Sequence, residues 1–188
     1  MDHGNRRNHA HHVGEELRGI LLFLVAIWSV FLLDRLLPLE MFALWPRRLS
    51  GLPGILASPF LHLDLGHILS NTIPLLVLLS LLAGSRANSG RTVVILIVLS
   101  GALLWLFGRP VPVVGASGLV FALIGFLILS GILERRLVAL LVSAFVAFSY
   151  GGTLMFGILP GQPGVSWDGH LFGVIGGVAA AWFLARQP

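Results

Sequence analysis

Two polar side chains lie at the mouths of long apolar runs, where a membrane-buried chain rarely has them. They are Ser117, in Val-Val-Gly-Ala-Ser-Gly, and His170, in Asp-Gly-His-Leu-Phe-Gly. Ionisable groups in such positions are costly to desolvate and mark functional sites. A serine beside a histidine suggests a hydroxyl nucleophile with its general base. If both face one cavity from the same side of a membrane, they predict intramembrane hydrolysis.

Both residues also have a purely structural interpretation. A hydroxyl at a helix start is a good N-cap, which could be the whole role of Ser117. His170 could hydrogen-bond between packed helices. Asp168 suggests a catalytic triad, but residues i and i+2 do not share a helix face, so a Ser-His dyad is favoured.

The composition indicates that lipid is the solvent of this chain. Of its 188 residues, 56% are hydrophobic and 11% are charged, and the mean hydropathy is +0.94. Charged residues make up about 25% of an average soluble domain. We therefore expect an all-α membrane protein with one bundle of transmembrane helices.

The charged and sulfur-containing residues exclude several other classes. All 12 basic residues are arginine, and they are spread along the chain, whereas a nucleic-acid-binding protein gathers them into a patch. The absence of cysteine excludes disulfides and thiolate catalysis. No cofactor is predicted. Residues 1–16 are expected to form a disordered polar tail whose histidines could bind a metal, although a solvated tail is favoured.

Apolar runs separated by Arg, Gly and Pro predict six transmembrane helices within residues 17–188. A span needs about 20 residues, and several of the runs are at the lower limit of about 17. The predicted spans cover residues 17–37, 65–83, 92–107, 117–133, 137–155 and 169–185.

The arginine distribution predicts the orientation of these spans. Six spans place both termini on one side of the membrane. The terminal side holds Arg6, Arg7, Arg18, Arg86, Arg91, Arg135, Arg136 and Arg186, and the other side holds Arg35, Arg47, Arg48 and Arg109. This split of eight against four predicts that both termini are cytoplasmic. The second, fourth and sixth spans then all begin at the outer face.

The second span begins with two further candidate site residues. His67 and Asn71 are four residues apart and share a helix face. Their N–H groups, with the backbone N–H of Ser117, could stabilise an oxyanion, although interhelical hydrogen bonding would also explain both side chains. His62 and His67 lack the spacing of a His-Glu-x-x-His motif, so a metalloprotease is disfavoured and no metal is predicted at this site.

Glycines near the two candidate catalytic residues predict close helix packing. Gly115 would let other backbone approach the start of the fourth span. Gly173 and Gly177 follow His170 on the same helix face, in a pattern that brings transmembrane helices close together.

These motifs together resemble the rhomboid intramembrane serine proteases over about residues 17–186. The resemblance rests on Gly-x-Ser at the fourth span, His followed by Gly-x-x-x-Gly in the sixth, and the segment from His62 to Asn71. It implies that Ser117 is the nucleophile and His170 the general base. It also implies an oxyanion hole formed by His67, Asn71 and the Ser117 N–H.

The sequence departs from the family pattern in two places. Many rhomboids carry a Trp-Arg pair shortly before the position of His62, whereas Trp45 and Arg47 lie further back here. The residue four after the serine is often Tyr, and here it is Phe121. Neither change removes a catalytic group, so we expect an active enzyme.

The resemblance implies a multi-pass protein of the cell inner (plasma) membrane that cleaves single-span transmembrane proteins near the outer face. The segment 156–167 is rich in Gly and Pro and could act as a mobile lid or as an ordinary connection. The alternative is a catalytically silent rhomboid-like protein that binds transmembrane helices. A transporter is disfavoured because the chain has no internal repeat.

Overall fold

In this computed structural model, the backbone is described for residues 3–85 and 89–185, and the side chains for residues 14–85 and 89–184. This part of the chain is helical and contains no β-strand. The helices are α1 (His3–Leu33), α2 (Gly54–Ala57), α3 (Leu65–Ser85), α4 (Ser89–Phe107), α5 (Ser117–Glu134), α6 (Leu137–Gly157) and α7 (Trp167–Ala185).

The all-helical membrane fold predicted from the apolar runs is confirmed. Five of the described helices, α1 and α3 to α6, are long and apolar enough to cross a membrane. The sixth, α7, has 19 residues and packs along α5 and α4. The chain is therefore an integral membrane protein built as a bundle of long apolar helices.

The structure moves several predicted helix ends. The backbone is helical from His3, so α1 begins well before residue 17 and takes in most of the predicted tail. The side chains of the four tail histidines lie outside the described residues. The division into a tail and a transmembrane domain at residue 17 stays a prediction. At the other end, α1 stops at Leu33, and α6 continues to Gly157.

The centre of the bundle is α5, which is apolar on all sides. Most of its side chains are buried, as expected for a helix surrounded by others. Its closest neighbour is α7, because glycines remove side chains from the interface. A Cβ at Gly173 would lie 2.4 Å from the Gly118 carbonyl oxygen, and one at Gly177 would lie 2.0 Å from that of Ala122.

The helices begin and end at two well-separated levels. At one level, Glu16 of α1 accepts hydrogen bonds from Ser89 of α4, and Arg136 donates to the Ser85 carbonyl. At the other level, Arg35, just after α1, donates to the Leu63 carbonyl, just before α3. We call this second level the site end, because α3, α5 and α7 all begin there.

A long segment between α1 and α3 folds over the site end. It contains α2 and three short 3₁₀ turns, at Leu39–Phe42, Leu49–Gly51 and Ser58–Phe60. Leu44 and Val113 exchange two backbone hydrogen bonds of 3.0 and 2.8 Å. This segment therefore braces the α4–α5 connection that leads into Ser117.

Candidate active site

A cavity of 740 Å³ opens at the site end, between the first turns of α3, α5 and α7. It is lined by all four of the polar residues that the sequence singled out: His67, Asn71, Ser117 and His170. These residues come from three helices far apart in sequence. Its size lies in the range of small-molecule and peptide-binding clefts.

Ser117 is the first residue of α5 and is half-buried on the cavity wall. The N-cap position belongs to Ala116, and no side chain caps the helix. The hydroxyl of Ser117 is therefore not used as a cap. The first-turn N–H groups of α5 have no intrahelical acceptor, so they are available to a developing negative charge.

His170 lies in the first turn of α7, and the surrounding atoms fix the orientation of its ring. Its Nδ1–H donates to the Gly157 carbonyl oxygen at 2.9 Å. A carbonyl oxygen can only accept, so the proton of the neutral ring is on Nδ1. Nε2 then carries the lone pair that a general base requires. The ring also stacks on Phe121, with centroids 4.0 Å apart and planes 4° from parallel.

Ser117 and His170 share the cavity wall without being hydrogen-bonded to each other. Among the hydrogen bonds of the described residues, none involves the Ser117 hydroxyl, and the only one of the His170 ring is that of Nδ1. Catalytic hydrogen bonds are often long before substrate binds and shorten in the complex.

Gly157, the last residue of α6, provides more than the carbonyl that orients His170. A Cβ at this position would lie 2.2 Å from Phe121 Cζ and 3.3 Å from His170 Nδ1. Only glycine lets α6 approach the stacked rings this closely. The sequence pattern puts Gly157 in a Gly- and Pro-rich segment that could be a lid or an ordinary connection. It does not reveal the contact with His170, because a contact made through a main-chain carbonyl has no side-chain signature.

The α3 wall of the cavity carries His67 and Asn71, in the first turns of that helix. The Asp64 carboxylate caps this helix by accepting the His67 backbone N–H at 2.8 Å. The Asn71 amide donates one hydrogen to the His67 carbonyl at 2.7 Å. An amide nitrogen carries two hydrogens, so one remains for a group in the cavity.

Gly115 lies in the turn that precedes Ser117, directly against the His67 ring. Its φ is +112°, and a Cβ there would lie 2.5 Å from His67 Nε2. Both the backbone conformation and the close approach therefore require glycine.

His62 supports the same turn from the segment between α2 and α3. Its ring is buried; Nδ1–H donates to the Phe60 carbonyl at 3.4 Å, and Nε2 accepts the Ala116 backbone N–H at 3.4 Å. Burial lowers the pKa of His62 from 6.5 to about 4, with a further lowering from His67 that outweighs the Phe60 hydrogen bond. A neutral ring is what these two hydrogen bonds need.

Asp168 is not a third member of a catalytic triad. Its buried carboxylate accepts the backbone N–H of Arg109 at 2.8 Å, the Arg109 guanidinium at 2.9 Å and the Ser166 hydroxyl at 3.0 Å. The His170 Nδ1 position is already taken by Gly157. Asp168 instead joins the start of α7 to the α4–α5 connection.

The connection between α6 and α7, residues 158–166, lies over the cavity. Gln162, Gly164, Val165 and Ser166 line it. The Gln162 amide donates to the Phe156 carbonyl at 2.8 Å, which folds the segment back on α6. The predicted lid is shorter than residues 156–167, because Phe156 and Gly157 complete α6 and Trp167 begins α7. Its mobility stays a prediction.

Comparison with known proteins agrees with this arrangement. The Rhomboid domain family matches residues 50–187, which include every residue that lines the cavity. The chain belongs to the rhomboid family. The rhomboid resemblance drawn from the three motifs is thereby confirmed.

Relatives of this chain occur in mycobacteria. The uncharacterized protein Rv1337 of Mycobacterium tuberculosis is 39% identical over 179 residues, covering 88% of this chain and 74% of that protein. The uncharacterized protein ML1171 of Mycobacterium leprae is 36% identical over 178 residues, covering 88% and 70% respectively.

The rhomboid departure at Phe121 can be assessed in the structure. The ring stacks face to face on His170 without a hydroxyl, so the orienting contact is made by the ring itself. The other departure concerns Trp45, over whose ring the Arg48 guanidinium lies at 3.8 Å.

Proposed function

We propose that this rhomboid is an intramembrane serine endopeptidase that cleaves single-span transmembrane proteins through a Ser117–His170 dyad. The observation that carries the proposal is the shared cavity, which is lined by both a half-buried serine at a helix start and a histidine whose free nitrogen is Nε2. This is the arrangement of a nucleophile with its general base.

Catalysis would proceed in two steps. His170 Nε2 takes the proton of Ser117 as Oγ attacks the peptide carbonyl carbon, and the same proton then passes to the leaving amine. Water hydrolyses the resulting ester, with His170 again taking a proton and returning it to Ser117. The cavity supplies that water, and Gly157 holds the ring in the required tautomer.

The oxyanion formed in each step would be stabilised by three donors of different origin. We assign this role to the Ser117 backbone N–H, the second Asn71 amide hydrogen and His67. One such donor is worth about 10²–10³ in rate. The dipole of α5, whose N-terminus faces the cavity, acts in the same direction.

The substrate would reach Ser117 from lipid, between α3 and α6. Pro74 of α3 and Thr153 of α6 both line the cavity, which therefore extends between these two helices. Because a helical substrate hides its carbonyls in internal hydrogen bonds, it must unwind locally. Substrates with helix-weakening residues such as glycine near the site end should be cleaved fastest.

We place the protein in the cell inner (plasma) membrane, as the rhomboid resemblance implies. The arginine distribution supports an orientation with both termini in the cytoplasm. The site end then faces the outside, and cleavage occurs near the outer face. No partner is proposed beyond the bilayer and the transmembrane substrates.

The proposal is tested with purified protein in liposomes and a panel of single-span reporter proteins. We expect cleavage by the wild type and none by Ser117→Ala or His170→Ala, because each variant lacks one half of the dyad. Glu134→Ala, which breaks an ion pair with Arg136 far from the cavity, should cleave normally.

Equal cleavage by the wild type and either dyad variant would refute the assignment. If no reporter is cleaved but reporters co-purify with the wild type and with Ser117→Ala alike, the protein is the silent helix-binding alternative.

A further inference from the structure

A second cavity, of 620 Å³, lies between α1 and α4 and shares no lining residue with the Ser117 cavity. Its walls are apolar side chains of the two helices, its floor includes Leu79 of α3, and it is closed towards the site end by Leu56 and Phe60. We call it the α1–α4 groove. Because both helices cross the membrane, it opens onto lipid rather than water.

The opposite end of the α1–α4 groove is polar and carries both signs of charge. Glu15, Glu16 and Arg91 line it there. Glu16 accepts hydrogen bonds from the buried Ser89, through both its N–H and its hydroxyl, which joins the starts of α1 and α4. A carboxylate has about four acceptor positions, so Glu16 keeps capacity for a ligand.

The α1–α4 groove is short enough to lie within one leaflet. From Glu16 to Phe23 on α1 and from Ser89 to Ile97 on α4, the helical rise gives about 10–12 Å. The hydrocarbon of one leaflet is about 15 Å thick. A transmembrane helix needs the full thickness and would meet Leu56 and Phe60 halfway, which disfavours a second protein as the occupant.

We propose that the α1–α4 groove binds a phosphatidylethanolamine molecule of the leaflet on the side of the termini. One acyl chain lies along the apolar walls and ends beneath Leu56 and Phe60. The phosphate contacts the Arg91 guanidinium, and the ammonium group contacts the carboxylate of Glu16, which keeps acceptor capacity beside Ser89. A headgroup with both charges fits the Arg91 guanidinium and the Glu16 carboxylate at this end of the groove, whereas phosphatidylglycerol has no cation for Glu16.

Two glycines in the walls make the groove testable. A Cβ at Gly19 or at Gly90 would meet nothing within 4 Å, so a large side chain at Gly19 would project into the groove without displacing backbone. Gly84, near the end of α3, also has open space around it and does not line the groove. Gly19→Phe and Gly84→Phe are therefore a matched pair.

The experiment reconstitutes the protein into nanodiscs of equal parts phosphatidylethanolamine and phosphatidylglycerol, releases it into mild detergent and counts retained lipids by native mass spectrometry. The wild type and Gly84→Phe should retain one lipid, with phosphatidylethanolamine favoured several-fold. Gly19→Phe should lose it. Arg91→Gln, at an exposed position, should lower retention several-fold without affecting the fold.

Retention by Gly19→Phe equal to that of the wild type would overturn the proposed site. Equal retention of phosphatidylglycerol would overturn the headgroup assignment, and retention of a second copy of the chain instead of lipid would overturn the occupant. Since the readout is lipid mass, none of these results depends on peptidase activity.

Discussion

At the scale of single residues, the candidate site depends on main-chain groups as much as on side chains. The Gly157 carbonyl sets the tautomer of His170, and the His62 ring holds the N–H of the residue before Ser117. These partners orient the reacting groups without touching the substrate. Pre-organisation of this kind removes the need to reorient groups during the reaction.

Gly115→Ala should lower the turnover of a cleaved reporter by about 10²-fold. The new methyl group would collide with His67 Nε2, and the residue would be strained at φ +112°. The measurement is the turnover number at saturating reporter. Gly151→Ala, in open space on α6, is the control and should keep the wild-type value. Unchanged turnover of Gly115→Ala would exclude a close role for His67.

The buried His62 should make stability depend on pH. Its pKa is about 4 in the folded protein and near 6.5 when unfolded. Between these values only the unfolded chain binds the proton, so stability falls as pH is lowered from 6.5 towards 4. Thermal unfolding midpoints in detergent at pH 7 and pH 5 measure this. Between pH 7 and pH 5, the unfolding midpoint of His62→Asn should fall less than that of the wild type. An equal fall would contradict the assignment of the pH dependence to His62.

At the scale of elements, the candidate site is an assembly of three helix starts held by two connections. The segment after α1 binds the α4–α5 connection through Leu44 and Val113, and Arg109 in that connection binds Asp168 at the start of α7. Relative movement of the Ser117 and His170 helices is therefore resisted at the cavity rim.

Asp168→Ala should destabilise the protein by about 2 kcal/mol, because it removes hydrogen bonds of a buried charged group. Asp168→Asn keeps an oxygen acceptor for the Arg109 backbone N–H, so its free energy of unfolding should fall by about half as much as that of Asp168→Ala. Unfolding in a denaturing detergent gives both free energies. If Asp168→Ala is as stable as the wild type, the ion pair does not hold α7 in place.

The sequence predicted the elements better than their connections. Polar residues at the ends of apolar runs are easy to recognise in a sequence, so four of the residues that line the cavity could be predicted: Ser117, His170, His67 and Asn71. The Arg109–Asp168 ion pair could not be predicted, since the two residues are 59 positions apart and each has an ordinary role at a helix end. The start of α1 was missed because hydropathy marks the lipid-facing part of a helix and not its polar extension.

At the scale of the whole molecule, the helices that hold the dyad are more deeply buried in the bundle than the neighbouring α6. Helices α5 and α7 pack so closely at Gly173 and Gly177 that a Cβ atom there would lie 2.0–2.4 Å from carbonyl oxygens of α5. This packing fixes Ser117 relative to His170. In contrast, most of α6 is exposed. A tightly packed catalytic pair at the centre, beside a peripheral helix, suits an enzyme that must admit a substrate from lipid.

The most direct test of the central claim is covalent labelling of Ser117. A fluorophosphonate probe reacts with a serine only when a base activates it, so peptide mapping by mass spectrometry should find the probe on Ser117 of the wild type. His170→Ala, folded to the same thermal midpoint, should remain unlabelled. Labelling of Ser117 that persists in His170→Ala, or a folded wild type that stays unlabelled, would contradict the dyad.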